Sequence, residues 1–260
     1  MHQGAWLVWI LAAGVVAVLT TNPFYLMPLL VVAWIVFQAC RTDGPGARSF
    51  RMFLVIGLVT IASRTLLVLF GPINRGSIAI AFLEGLRLAV LLVLFGTFNA
   101  VSDPFRVLRL APRRWHEPAL ATALALSIAP RTIAAAGRVR EAQRLRGIHV
   151  ARWRSLPALA VPVLETGMEE AVMLAESMDA RGHGRGPRSR YRPDRWDLAG
   201  ASVALIASLA AVLFVVASVR GWSDILVATF PLQWPQVAGW LMAATLSFSL
   251  PALIALGRRS

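Results

Sequence analysis

The chain has 260 residues, 57% of them hydrophobic, a mean hydropathy of +0.65 and a formal net charge of +13. A water-soluble domain needs more polar surface than this, and here the apolar residues come in blocks. All 26 basic residues are arginine. A P-loop needs a lysine at the phosphates, so an ATPase of that kind is excluded, as is Schiff-base chemistry on lysine. One cysteine, Cys40, rules out an intrachain disulfide and leaves no cysteine cluster for a metal.

A spanning helix needs about 20 apolar residues. Six blocks come close: 5–20, 24–40, 52–70, 78–98, 198–219 and 237–256. The first is read as a retained helix and not a cleaved leader, because Met1-His2-Gln3 carries no basic residue and a second block follows at once. Thr21-Asn22-Pro23 joins the two as a tight turn. Arginine placement orients the spans. The 41–51 loop, the long segment 102–197 and the tail at Arg258 and Arg259 are arginine-rich, whereas the alternate loops carry only Arg75 and Arg220. Six spans with both termini cytoplasmic satisfy that pattern. Trp222, Phe230 and Trp234 in the last outer loop suit an interfacial aromatic belt. The chain thus divides into membrane region 1–101, cytoplasmic region 102–197 and membrane region 198–260.

The segment 102–197 holds 17 arginines against 10 acids, yet it is rich in Ala, Leu, Val and Ile and reads as ordered. A short helix is expected near residues 104–110. A long helix follows over 117–146, with Pro130 expected to kink or split it. A second long helix is expected over 156–181, with Leu164, Met168, Ala171, Ala175 and Met178 on one stripe. Both close alike. The first ends Glu141-Ala142-Gln143-Arg144-Leu145-Arg146-Gly147, the second Glu176-Ser177-Met178-Asp179-Ala180-Arg181-Gly182. Gly is the expected helix stop, and Arg suits the negative end of the helix dipole. Two copies on consecutive helices also suggest a pair of plugs, since an arginine at a helix tip makes bidentate contact with carboxylates in an acidic groove.

These ends, with Ser102-Asp103-Pro104, Ala111-Pro112 and Leu126-Ser127-Ile128-Ala129-Pro130-Arg131, resemble the transmembrane T component of energy-coupling factor transporters. Those are ABC-type importers for vitamins and transition-metal ions such as cobalt and nickel. The resemblance covers the whole 102–197 segment and the arrangement of spans around it. It implies an all-α integral protein of a prokaryotic cytoplasmic membrane, with about six transmembrane helices and a cytoplasmic coupling-helix insert between spans four and five. It implies two cytoplasmic ABC ATPases as partners, docked through short Ala-Arg-Ser/Gly motifs, and a small membrane S component that binds the substrate. Arg146 and Arg181 become the docking arginines. Gly147 and Gly182 are their caps, Ala180 the small residue of the motif, and Glu141, Arg144, Glu176 and Asp179 the supporting positions. Leu145 stands where the family has Ala, and its bulk affects how deeply Arg146 enters a groove. The chain itself would hold no cofactor, because ATP and Mg belong to the ATPases.

Arg64, Glu84 and Arg87 fall inside apolar blocks. Charges within a bilayer are rare and usually paired. Arg64 and Glu84 each lie about 9 Å from the same boundary on adjacent antiparallel spans, which predicts an ion pair that Arg87, one turn deeper, shares. Such a pair either sets helix register or meets the S component. His2, His116, His149 and His183 have no ligand spacing, so no metal site is expected. The basic 183–195 run reads as a linker beside anionic headgroups, not as a nucleic-acid surface. Two other functions stay open: a conventional ABC permease subunit, and an integral-membrane enzyme, for which Glu165, Glu169 and Glu170 mimic an acidic cluster but fit the solvated face of a helix better.

Overall fold

The computed structural model describes residues 2–41, 46–71, 74–147, 156–183, 185–186, 196–221, 225–227 and 234–257, and all regular structure among them is helical. Ten α-helices are described: α1 Gln3–Leu19, α2 Pro23–Cys40, α3 Gly46–Leu67, α4 Arg75–Val101, α5 Pro104–Leu108, α6 His116–Leu145, α7 Leu156–Ala180, α8 Leu198–Arg220, α9 Gly239–Ser247 and α10 Leu250–Gly257. The chain forms two compact units. Residues 1–110 and 194–260 make the first, and 111–193 the second. The two membrane regions read separately in the sequence therefore share one unit, and α5 belongs with them and not with the insert.

In the first unit local chemistry sets the helix starts. Asn22 caps α2, its Oδ1 accepting the Phe24 N–H at 3.0 Å, and Pro23 takes the first helical position, where no donor is needed. Asp197 caps α8 by accepting the Gly200 N–H at 3.0 Å. The turn between α1 and α2 is stitched to the segment after α8. Thr20 Oγ1 donates to the Ile225 carbonyl at 2.8 Å, Asn22 Nδ2 donates to the Gln236 carbonyl at 2.8 Å, and the Ala238 N–H donates to the Tyr25 hydroxyl at 2.9 Å. Thr20 and Asn22 are fully buried, so these bonds satisfy polar groups that would otherwise be costly. At the other end of the unit the His2 and Trp196 rings stack at 4.5 Å. The starts of α1 and α8 are thus neighbours, and so are their far ends. The start of α3 meets the end of α4, where a side chain on Gly46 would lie 2.8 Å from Ala100 Cα. The chain therefore leaves α4 and re-enters at α8 on one end of this unit.

The core gathers Trp9, Tyr25, Leu29, Leu94, Phe214 and Phe248. Tyr25 meets Phe214 edge-on at 5.5 Å, and Phe37 stacks on Phe50 at 3.8 Å. The last apolar block is not one straight helix. It breaks into α9 and α10, bent by 47°. Pro251 has no N–H to bond the turn before it, which accounts for the break. α3 is peripheral. It packs against α4 and leaves Met52, Val55, Leu58, Val59 and Leu66 exposed.

By length and apolar composition α2, α3, α4, α6 and α8 can each cross a membrane, and α9 with α10 can cross as one broken span. This is a multi-pass membrane protein. The membership differs from the six predicted blocks. α1 has 17 residues, about 25 Å, which is short of a hydrocarbon core of about 30 Å. α6 passes because residues 118–130 carry no charge, while Arg131, Arg138, Arg140 and Arg144 follow in its second half. Trp222, Phe230, Arg258, Arg259 and most of the basic 183–195 run lie outside the described residues.

In the second unit α6 is one helix through Pro130, where a kink or a split was expected, so the split does not occur. α7 packs against α6. Its half-buried positions are Leu159, Pro162, Val163, Gly167, Leu174 and Met178. That face is rotated roughly 100° from the predicted stripe. Of the stripe only Met178 is covered, and Leu164, Met168, Ala171 and Ala175 are exposed. Apolarity alone does not fix how a helix is rotated against its neighbour.

Candidate functional site

The two helix tips are built by the same backbone device. At the end of α6 the Arg146 N–H bonds the Ala142 carbonyl at 3.2 Å, the Gly147 N–H bonds the Arg144 carbonyl at 3.0 Å, and Gly147 has φ +78°. At the end of α7 the Arg181 N–H bonds the Ser177 carbonyl at 3.2 Å and the Gly182 N–H bonds the Asp179 carbonyl at 2.8 Å. The His183 N–H then bonds the Met178 carbonyl at 2.9 Å, with Gly182 at φ +74°. These 5→2 and 6→1 bonds form a Schellman cap, which needs a left-handed residue and so favours Gly. Arg146 and Arg181 are therefore the last residues before the chain reverses. Both are exposed, and neither guanidinium makes an ion pair or hydrogen bond among the described residues. Leu145, beside the first, is 87% exposed.

Among the described residues the supporting positions hold the tips through the Arg144 and Asp179 carbonyls, and no side chain of theirs forms an ion pair with Arg146 or Arg181. Glu141 and Glu176 each precede their arginine by five residues, which is roughly 140° around the helix. Neither forms an ion pair among the described residues, nor does Arg144. Asp179 is engaged elsewhere, its Oδ1 lying 3.1 Å from Arg185 Nη2 with both side chains exposed. A third helix also ends Arg-Gly on a left-handed glycine: α8 stops at Arg220, and Gly221, at φ +62°, closes it by a single bond from its N–H to the Ala217 carbonyl. An Arg-Gly end is thus ordinary helix-stopping chemistry, and position separates the tips of α6 and α7 from this third one.

The charged cluster lies between α3 and α4. Arg64 Nη2 is 3.3 Å from Glu84 Oε2, with the side chains 45% and 44% exposed. Gly85 makes the reach possible. A side chain there would stand 2.9 Å from Ile61 Cα and 3.4 Å from Arg64 Cβ, so glycine lets the helices close. A cleft of about 320 Å³ opens over the pair, walled by Leu67, Val68, Ser77 and Ile80. Arg87 does not share Glu84, and it has no ion pair among the described residues. The helix accounts for this. α3 covers the side of α4 that carries Gly85 and Ala89. Three residues beyond Glu84 turn Arg87 roughly 60° further away, almost opposite α3.

Among the described residues no three His, Cys, Asp or Glu side chains gather as metal ligands. Compared with protein-family models and with curated proteins, the chain matches none.

Sequence reasoning missed three features. Gly85 is a lone glycine in an apolar run and becomes meaningful only beside Ile61. Trp9 donates its indole N–H to a carbonyl at the break after α9. The exposed apolar side of α7, with Met168 at 70%, was assigned to packing.

Proposed function

We propose that this chain is the membrane-embedded coupling subunit of an energy-coupling-factor-type ABC importer. It links ATP hydrolysis on two cytoplasmic partner ATPases to movement of a small membrane S component, which brings in a vitamin or a transition-metal ion. The reading rests on one observation above others. Consecutive long helices, α6 and α7, end in exposed Arg-Gly caps whose guanidinium groups are unpaired among the described residues. The sequence motifs of residues 102–182 resemble those of that family. The exposed apolar side of α7 at Leu164, Met168 and Val172 suits contact with a hydrophobic partner. Arginine placement supports a cytoplasmic side for both termini, α6 and α7, and the family resemblance supports a prokaryotic cytoplasmic membrane. In this reading α6 is a coupling helix despite its apolar first half, because its second half carries four arginines. The chain performs no catalysis itself, and ATP with its Mg stays on the ATPases.

The test is purification of the detergent-solubilised protein from its native membrane, with mass spectrometry of what accompanies it. Two ABC ATPases with a small hydrophobic membrane protein support the reading, and the identity of the small protein points to the substrate. ATPases without such a protein favour a conventional ABC permease subunit. Absence of any ATPase sinks both, and a membrane enzyme is then tested by assaying the purified chain for hydrolysis or transfer.

A further inference from the structure

The charges of α3 and α4 do not balance. Arg64 and Glu84 neutralise one another at 3.3 Å. Arg87 has no such partner among the described residues, and it is half-buried on the side of α4 away from α3. It is the thirteenth of the 27 residues of α4, and so close to the middle of the helix. The helix is about 40 Å long and Arg87 is about 18 Å from its start, which places it near the centre of a hydrocarbon core of about 30 Å. Arginine can bring its charge to the interface only from near a helix end. From the middle of α4 it would have to travel about 15 Å.

The depth and the sign of this charge define what answers it. A lipid phosphate stays in the headgroup layer, outside the hydrocarbon core, and does not descend to the mid-plane. A second copy of this chain brings the same surplus: five arginines and one glutamate in the corresponding helices, with Arg64 and Arg87 against Glu84 in their apolar stretches. A carboxylate at the centre of another protein's transmembrane helix has the required depth and sign, and its planar oxygens suit the guanidinium fork. The exposed apolar residues Leu88 and Phe95 of α4, on the Glu84 side of Arg87, supply contact surface along the helix.

We infer that the α4 flank at Arg87, beside the Arg64–Glu84 pair, is a docking surface for a membrane-spanning helix of another protein that carries an aspartate or glutamate near its midpoint. The inference stands on the membrane location of α3 and α4 and not on the coupling role of α6 and α7.

The experiment reconstitutes the full chain in phosphatidylcholine vesicles and measures energy transfer from a donor on a C-terminal tag. The probe is an acceptor-labelled host helix of roughly 20 Leu and Ala residues with Glu, Gln or Lys at its centre. With the native chain the Glu helix associates about tenfold more tightly than the Gln helix, and the Lys helix does not associate. Arg87→Gln removes the preference. Arg87→Glu inverts it in favour of the Lys helix, a gain that a misfolded variant would not show. Equal association of the Glu and Gln helices overturns the inference, as does a preference that survives Arg87→Gln. A preference abolished by adding phosphatidylglycerol assigns Arg87 to lipid and overturns it equally.

Discussion

Trp9 donates its indole N–H to the carbonyl of Phe248, 3.0 Å away, at the break between α9 and α10. Both residues are almost fully buried, and their rings meet edge-on at 6.4 Å. Bending the chain at Pro251 frees carbonyls that a continuous helix would satisfy internally, and the indole answers one of them. Trp9→Phe keeps the packing and strands the carbonyl, which costs about 1–3 kcal/mol. Thermal unfolding in detergent should show a clear drop for Trp9→Phe and little change for Trp6→Phe, since Trp6 makes no such bond among the described residues.

Gly85 and Gly14 should respond in opposite ways. A side chain on Gly85 would press on Ile61 Cα at 2.9 Å, whereas one on Gly14 meets nothing within 4 Å. Gly85→Val forces α3 off α4, at a cost of about 1–3 kcal/mol. Gly14→Ala should be neutral or stabilising by up to about 1 kcal/mol, as alanine replaces glycine within a helix. Unfolding midpoints in the same detergent compare the two. Equal behaviour would mean that α3 and α4 are not closely packed at Gly85.

Glu84→Gln leaves Arg64 without its carboxylate partner. An uncompensated arginine within a helix costs about 2.5–3.5 kcal/mol on insertion scales. Reduced membrane insertion or stability is therefore expected, measured as the folded fraction in isolated membranes. The exchange Arg64→Glu with Glu84→Arg restores the pair and should recover much of the loss. Unchanged folding and transport in Glu84→Gln would show that the pair matters to neither.

The docking arginines admit a direct test with an internal control. Arg146→Ala and Arg181→Ala are each expected to weaken ATPase attachment by about 2–5 kcal/mol, the cost of truncating one partner of a buried charge pair. Together they should leave the chain free of ATPases on purification. Arg220→Ala, at the Arg-Gly end of α8, should leave attachment unchanged. Intact ATPase co-purification with the double variant would show that these tips are only helix caps.

Gly182→Ala separates the cap from the charge. The left-handed φ of +74° costs a residue with a Cβ about 1–2 kcal/mol. The end of α7 should fray, seen as faster hydrogen exchange at Arg181, Gly182 and His183, whose N–H groups form the cap.

Much of this molecule was legible in the chain itself. The apolar blocks located the helices of the first unit, because the length of an apolar run and the width of a bilayer are matched quantities. The ends of α6 and α7 fell where Gly147 and Gly182 predicted, because a left-handed turn is a property of one residue and its neighbours. The depths of Arg64 and Glu84 followed from counting along two adjacent helices.

Other features depended on how each helix is rotated about its own axis, and no interaction within a single turn sets that rotation. Arg87 shares a helix with Glu84, yet only the position of α3 beside Gly85 shows that it points elsewhere. The same freedom explains why α7 half-buries Val163 and Leu174 and leaves Leu164 and Met168 outside. Pro251 was visible from the start, but a proline can break a helix or lie inside one, as Pro130 does in α6. At residues 247–250 the break is supported by Trp9, 239 positions away from its acceptor. Composition and turn chemistry determined where helices lie and stop. The tertiary structure alone decided which faces meet and which charges find partners, because those contacts join residues that only packing brings together.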